Sequence, residues 1–495
     1  LKMPVALPAD ALPRQGGIRV TVKPKLGDEL AGVRDYMQGY VYSCLEQKIS
    51  RAIALGDDAR WARAMDDLPA YLDREGLAKY FSADRRGSDT LTAYIVAIAD
   101  EAGRKLPDDA RQRMLGGLRG FVEGKVLRDS ALPTADLAIR KVAALEALSR
   151  TQPVDPLLLS SISIEPNLWP TSAVIDWYNV VRRSAFAERD KQLSQAEQIL
   201  RSRLNFQGTT MGFSTERMDY LWWLMISGDV NANRVLLSFF DNDRWREDVP
   251  RLVRGTLGRQ QHGRWNTTVA NAWGVVAMQK FSQAFEHVPV TGTTSAAANG
   301  ERGLIDWAKN AGGGSVDLAW PSAHSDLVLA HAGDGRPWVT VQSLAAVPLE
   351  TPLSSGYKVT KSVTSVEARS PGRISRGDTV RVRLEIEAQS DMTWVVVNDP
   401  IPAGATILGR GLGGESQILA SGEHKRGFVW PAFEERTFEA YRAYYRFVPK
   451  GGWVVEYTMR LNNAGRFKLP STRTEAMYAP EMFGAVPNES MTVDP

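Results

Sequence analysis

At 495 residues the chain is too long for one ordinary core, so two or more domains are expected. Hydrophobic residues make up 43% and charged residues 24%, while 60 basic against 57 acidic side chains leave a net charge of +3. That balance describes a soluble globular protein and argues against nucleic acid or an anionic membrane as the main partner. No apolar run is long enough to span a bilayer, and a single cysteine excludes an internal disulfide framework and any multi-cysteine metal site.

The chain opens Leu1-Lys2-Met3 without a charged-then-apolar leader pattern, so its natural start is expected upstream. Ile18-Arg19-Val20-Thr21-Val22 alternates as a half-buried strand does. From about Asp35 helical periodicity takes over for about 250 residues. Leu91, Tyr94, Ile95 and Ile98 share one helix face behind Ser88-Asp89-Thr90, which is capping material. Pro107-Asp108-Asp109 opens the next helix, with Met114, Leu115, Leu118, Phe121 and Val122 on its apolar face. Further helices are predicted at 134–149, 172–186, 193–206, 215–227, 230–239, 247–258 and 266–285. Such a series packs as stacked hairpins, either an open solenoid or a closed toroid; no exact repeat decides between them.

Near Pro289 the composition changes. Thr291 to Ser295 and the alanines after them predict an exposed linker or loop. Beyond it Val380, Val382, Leu384 and Ile386 alternate with Arg381, Arg383, Glu385 and Glu387, and Val455, Tyr457, Met459 and Leu461 repeat the pattern. Turn signals at Pro402-Ala403-Gly404 and Pro449-Lys450-Gly451-Gly452 separate such runs, which predicts an antiparallel β-sandwich over 356–495. A helical block therefore lies between two β regions.

The lone cysteine stands in Tyr40-Val41-Tyr42-Ser43-Cys44-Leu45-Glu46-Gln47. A Cys and a Gln three apart at a helix start lie on one face within bonding reach. The thiolate can attack the side-chain amide carbon, ammonia leaves, and an acyl–sulfur bond closes a ring through the backbone. A thioester survives only where water is kept out. Tyr36, Tyr40 and Tyr42 are candidates for that shield, and equally for plain core packing at the first helix.

The run Tyr40-x-Tyr42-x-Cys44-Leu45-Glu46-Gln47 resembles the thioester motif of bacterial alpha-macroglobulins, relatives of the animal protease inhibitors and complement thioester proteins. The resemblance extends over essentially the whole chain. Ser88 to Gly103 resembles the helical region that follows the motif, and Gly263-Arg264-Trp265-Asn266-Thr267-Thr268-Val269-Ala270-Asn271-Ala272-Trp273 a late helix start of the same domain. Tyr444-Tyr445-Arg446, Gly465 to Pro470 and Met477-Tyr478-Ala479-Pro480 resemble the final macroglobulin-like β-domain. The chain departs from the family at Val41 and Ser43, where Pro and Gly are usual, and at Lys48, where Asn or Thr is usual.

The resemblance implies a multidomain α + β fold: a helical α/α toroid at 31–286, inserted in a β-rich CUB-type domain at 1–30 and 287–355, then a macroglobulin-like sandwich at 356–495. It implies a protease trap rather than an enzyme. Cleavage of a bait segment, lying outside this chain, uncovers a Cys44–Gln47 thioester that acylates a lysine of the target protease, with Leu45 and Glu46 completing the motif. It implies that Tyr40, Tyr42 and a C-terminal tyrosine, Tyr478, shield the bond, and that no cofactor or metal is used. Its partners are target proteases and other cell-envelope proteins, in the periplasm of a Gram-negative bacterium. No histidine lies between Cys44 and Gly258, which matches family members that react directly with amines.

Two other readings compete. One is a macroglobulin fragment with an inactive motif, acting as a binding or scaffold component of an envelope complex. The other is a toroid-fold glycosidase, because Asp241, Asp243 and Glu247 cluster with Trp245 and such enzymes work with paired carboxylates. The five histidines, His262, His287, His324, His331 and His424, show no metal-ligand spacing with a carboxylate. Gly312-Gly313-Gly314 lacks the Lys-Ser/Thr of a phosphate loop and predicts a turn.

Overall fold

The structure is a computed structural model that describes every residue except 13, 29, 161, 163–167, 186–187, 215–220, 322–323, 371 and 410–428, and the side chains of 156 and 160. The chain forms two compact units, Leu1–Pro348 and Leu349–Pro495.

The first unit begins with strands β1 (Lys2–Val5) and β2 (Gly16–Lys23). Helices follow: α1 (Ala31–Gly39), α2 (Leu45–Ala54), α3 (Asp58–Asp67), α4 (Asp89–Glu101), α5 (Asp108–Val122), α6 (Leu137–Ser149), α7 (Pro156–Ser160), α8 (Thr171–Arg183) and α9 (Arg189–Ser202). A hairpin of β3 (Leu204–Gln207) and β4 (Thr210–Phe213) leads to α10 (Gly228–Phe239), α11 (Val249–Leu257) and α12 (Thr268–Phe285). Strands β5 (Thr293–Ala298), β6 (Glu301–Asp306), β7 (Gly314–Leu318), β8 (Ser325–Ala332) and β9 (Trp338–Ala345) end the unit.

Helices α2, α4, α6, α8, α10 and α12 pack in succession, and α12 returns to pack on α2, while α3, α5, α9 and α11 lie against them from outside. The helices therefore close a toroid rather than continue a solenoid. Composition explains the two layers. Inner helices are apolar on nearly every side, as in Leu91 to Ala99, whereas α3 buries only Trp61, Ala64 and Met65. Side-chain caps fix several starts, with Ser88, Ser227 and Thr267 accepting from the backbone N–H three residues on.

The strands before and after the helices build one sandwich of two sheets, ordered β1-β8-β5-β6 and β7-β2-β9. Ile18, Val20 and Val22 from the first segment share its core with Ala296, Ala298, Ile305, Trp307, Leu327 and Leu329 from the second. The toroid is thus an insertion between β2 and β5. It is fastened there by Leu26 N–H donating to Glu286 (2.9 Å) and Gly27 N–H to Ser282 Oγ (2.6 Å).

Three sequence expectations change. Thr291 to Ser295 and the following alanines are not a linker. They enter β5, paired on both sides, with Thr294, Ala296 and Ala298 buried. Small residues conceal the period-2 alternation that larger ones would reveal. The helix predicted at 193–206 is α9, which stops at Ser202; Leu204 to Phe213 form a hairpin turning at Gly208, which has φ +62°. The hairpin rests on α11 where Gly255 has no Cβ, since one would stand 1.9 Å from the Met211 carbonyl. Of the helix predicted at 215–227, residues 215–220 lie outside the described residues. Trp222–Leu224 make one 3-10 turn that ends at Met225 in the left-handed region, φ 59°.

The second unit carries strands β10 (Leu353–Ser355), β11 (Tyr357–Glu367), β12 (Thr379–Ala388), β13 (Met392–Pro400), β14 (Thr406–Ile407), β15 (Phe433–Arg436), β16 (Ala440–Val448), β17 (Gly451–Arg460), β18 (Gly465–Phe467), β19 (Thr472–Ala476), β20 (Ala479–Val486) and β21 (Met491–Val493). Its main sheets are β10-β20-β19-β13-β16-β15 and β11-β12-β17-β14, all antiparallel. Val380, Val382, Leu384 and Ile386 are buried, following the alternation read from sequence. A buried carboxylate, Asp399, is satisfied by Lys361 Nζ (2.6 Å), Tyr457 Oη (2.6 Å) and the Thr472 hydroxyl.

Candidate functional site at the start of the first inner helix

Cys44 is the N-cap of α2, in extended conformation with φ −70° and ψ 169°. Its sulfur accepts from the Gln47 backbone N–H, and its own N–H donates to Gln47 Oε1 at 3.0 Å. This reciprocal capping box folds the thiol and the amide against each other across one helical turn. Cys44, Leu45, Glu46 and Gln47 are all fully buried. The Gln47 carbonyl is polarised by the Cys44 N–H, and its Nε2 donates to Tyr40 Oη at 3.3 Å. Attack on that amide carbon would find a backbone donor at the oxygen and a hydroxyl at the leaving nitrogen.

The tyrosines form a ladder over this turn. Tyr36 and Tyr40 meet edge-on at 5.3 Å, as do Tyr40 and Tyr42, and Arg264 lies 3.9 Å over the Tyr36 ring. Tyr42 is buried, Tyr40 is half-buried and Val41 points outward. Arg51 fastens α2 to the end of α1 by donating to the Met37 and Gln38 carbonyls, at 2.8 and 3.2 Å. Lys48 donates to Tyr71 Oη (3.1 Å) and Asp67 (3.4 Å).

Beneath the motif, Glu46 Oε1 accepts from Ser50 Oγ (2.6 Å) and from Thr268 Oγ1 on α12 (2.8 Å). Ser50 Oγ also lies 2.6 Å from Tyr94 Oη on α4. A carboxylate only accepts, so the Ser50 proton points to Glu46 and Tyr94 donates to Ser50. Burial pushes the Cys44 thiol well up in pKa, and the charge of Glu46 adds to it, against the N–H groups of Gln47 and Glu46. Burial beside Glu46 raises Tyr94 likewise.

Tyr94 also lines a cavity inside the toroid, with Trp273, Arg140, Glu146, Asp176 and Arg234, roofed by Leu224 and Met225; its space for water-sized molecules is about 70 Å³. Arg140 is paired with Asp89 at 2.6 Å, Glu146 with Arg150 at 2.7 Å, and Arg234 with Asp176. Sequence reading missed these residues. The available signal was charge on helices otherwise apolar all round, which demands buried partners. Asp241, Asp243 and Glu247 are exposed and do not line this cavity, while Trp245 is buried, stacked on Phe239 and bonded to Glu197. Tyr478 lies in the second unit, buried, at the turn between β19 and β20. Gly313 makes a turn before β7, as expected, and His424 lies outside the described residues.

Residues 356–481 match the family model of the bacterial alpha-2-macroglobulin MG10 domain. A curated alpha-2-macroglobulin homolog from Nostoc sp. is 22% identical over 437 residues, covering 84% of this chain and 22% of its own length. The crystal structure of native alpha-2-macroglobulin from Escherichia coli, spanning domain MG7 to the C-terminus, superposes with TM-score 0.72 at 18% identity, over 100% of this chain and 80% of that one. Salmonella alpha-2-macroglobulin reacted with methylamine gives TM-score 0.68 at 18% identity, over 100% of this chain and 33% of that one. The chain thus spans a minor part of the curated relative, and identities this low carry the fold. Fold, domain model and curated relative agree: the chain is similar to the C-terminal region of the bacterial alpha-2-macroglobulins.

Proposed function

We propose that this chain is the thioester-bearing part of a periplasmic protease trap, in which Cys44 and Gln47 form an acyl–sulfur bond. The observation that carries the reading is the buried reciprocal pairing of the Cys44 and Gln47 side chains at the first turn of α2. Closure transfers the acyl carbon from nitrogen to sulfur, and the thiol proton leaves with the amide nitrogen as ammonia. Opening by a protease lysine forms an amide to Gln47 and returns the proton to Cys44. Bait cleavage elsewhere in the parent protein supplies the trigger. Such a protein binds its target covalently and does not turn over.

In this reading Tyr40 and Tyr42 keep water from the bond, and burial of all four motif residues supports that role. The domain limits proposed with this reading are 1–30 and 287–355 for the β-domain, 31–286 for the toroid and 356–495 for the sandwich, whereas the two compact units divide between Pro348 and Leu349. The test is the parent protein's intact mass before and after methylamine. A closed bond removes about 17 Da as ammonia, and methylamine opening then adds about 31 Da at Gln47. An unmodified mass together with a natively titrating Cys44 would leave the inactive-motif reading in its place.

A further inference from the structure

The Glu46 carboxylate has no part in the bond exchange described above, yet it is fully buried and is held by hydroxyls from two different places in the ring. Its Thr268 contact joins the first inner helix to the last, where the toroid closes. The same carboxylate stands two residues from the sulfur, at the helix end whose N–H groups already point at Cys44. Ser50 and Tyr94 extend the hydrogen-bonded chain from Glu46 to the cavity wall. The Coulombic effect of this carboxylate on its neighbour is to raise the Cys44 thiol and so oppose the thiolate, and such effects are strong where water is absent.

We propose that Glu46 is a positioning residue that sets the reactivity of the Cys44 sulfur, its anchored charge opposing departure of the sulfur as a thiolate. The inference rests on the thioester reading for its consequence, while the relation between carboxylate and sulfur is seen with the thiol free. Sulfur leaves more readily the lower its thiol pKa. The helix N-terminus favours a thiolate and Glu46 opposes it, which makes the closed bond slow to open in the resting protein.

The other groups around the centre are few. Asp84 adds to the effect of Glu46 on the thiol. Tyr94 faces the centre from α4, Tyr80 donates to Met225 Sδ, and Tyr40 accepts from Gln47. Lys48, on α2 itself, is engaged by Asp67 and Tyr71. Thr268 and Ser50 are uncharged.

The test compares Glu46→Gln, which keeps an acceptor for Ser50 and Thr268 but removes the charge, with Thr268→Val, which keeps the charge and removes one donor. Intact mass first establishes whether the parent protein carries the closed bond. If it does, methylamine-driven release of the thiol is expected to be about tenfold faster in Glu46→Gln, the effect of one pKa unit on the leaving group. With the bond open, thiolate absorbance of this single cysteine is expected to titrate at least about one unit lower in Glu46→Gln and no lower in Thr268→Val. An unchanged midpoint in Glu46→Gln, or equal shifts in both variants, overturns the proposal. A mass without the closed bond sinks the thioester reading alone, and the open-state titration still decides the role of Glu46.

Discussion

Replacing Arg150 with methionine should unfold the toroid far more easily than its position outside the motif suggests. The Arg150 side chain is 3% exposed and bonds Glu146 and Glu101 at 2.7 Å and Asp100 at 2.9 Å, which ties α6 to α4. Burial pushes the Glu146 carboxyl up, but Arg150 and Arg183 outweigh it and hold it well below the usual range, so it is charged at neutral pH. Without Arg150, Glu146 retains Arg183 at 2.8 Å and Glu101 retains Lys280. Breaking a buried pair from one side costs about 3–5 kcal/mol, and the retained cations set the expectation near about 3 kcal/mol. For a urea slope of about 3 kcal/mol per M, the midpoint falls by about 1 M. Urea unfolding followed by far-UV circular dichroism reads this, because the helices belong to the first unit. Arg150→Met combined with Glu146→Met should recover about half the loss, since an apolar pair replaces an ionic one with little penalty. A midpoint shift below about 0.3 M, or a double variant weaker than the sum of the singles, would refute the reasoning.

Gly274→Ala places a Cβ 2.2 Å from the Trp265 ring, so differential scanning should show destabilisation of about 1–3 kcal/mol; an unchanged melting temperature contradicts the packing. Glu101, like Glu146, is held below its ordinary value against burial, by Arg150 and Lys280. The stability these two groups contribute is full above the unfolded carboxyl value of 4.5 and is lost as pH falls through their depressed folded values. Far-UV ellipticity should therefore hold between about pH 5 and 7 and fall only under stronger acid, with Arg150→Met moving the loss upward. A transition centred above about pH 5 in the wild type would contradict this. Tyr40→Phe removes the hydroxyl that accepts from Gln47 Nε2 in the open form; closure expels that nitrogen, so the same hydroxyl faces the incoming amine in its place, a contact worth about 0.5–1.5 kcal/mol. It should change the rate of thiol appearance in the parent protein by about two- to tenfold, read with a chromogenic thiol reagent. An identical time course would remove Tyr40 from the site.

How far the sequence reveals this molecule depends on which periodicity its residues carry. Strong patterns of large apolar residues, such as Leu91 to Ile98 or Val380 to Ile386, identify helix and strand directly, and both are buried as expected. Closure of the ring is not local: it depends on Thr268 meeting Glu46 across 222 positions, which no window of periodicity contains. The strand at Thr293–Ala298 was hidden by small side chains, and the hairpin after α9 by a helical pattern that a glycine turn interrupts. At the site, the spacing of Cys44 and Gln47 foretold their meeting. Of the two roles considered for the tyrosines, core packing is seen at Tyr42, while Tyr40 bonds the glutamine. The hydroxyls that hold Glu46 were illegible, because Ser50, Tyr94 and Thr268 gain meaning only from the packing of three helices.

The central claim is that Cys44 and Gln47 are joined in the native parent protein, and intact mass spectrometry of that protein tests it most directly. The account predicts a mass about 17 Da below that of the sequence, with methylamine adding about 31 Da at Gln47 and freeing the Cys44 thiol. A mass equal to that of the sequence, unchanged by methylamine, with Cys44 titrating under native conditions, would contradict it.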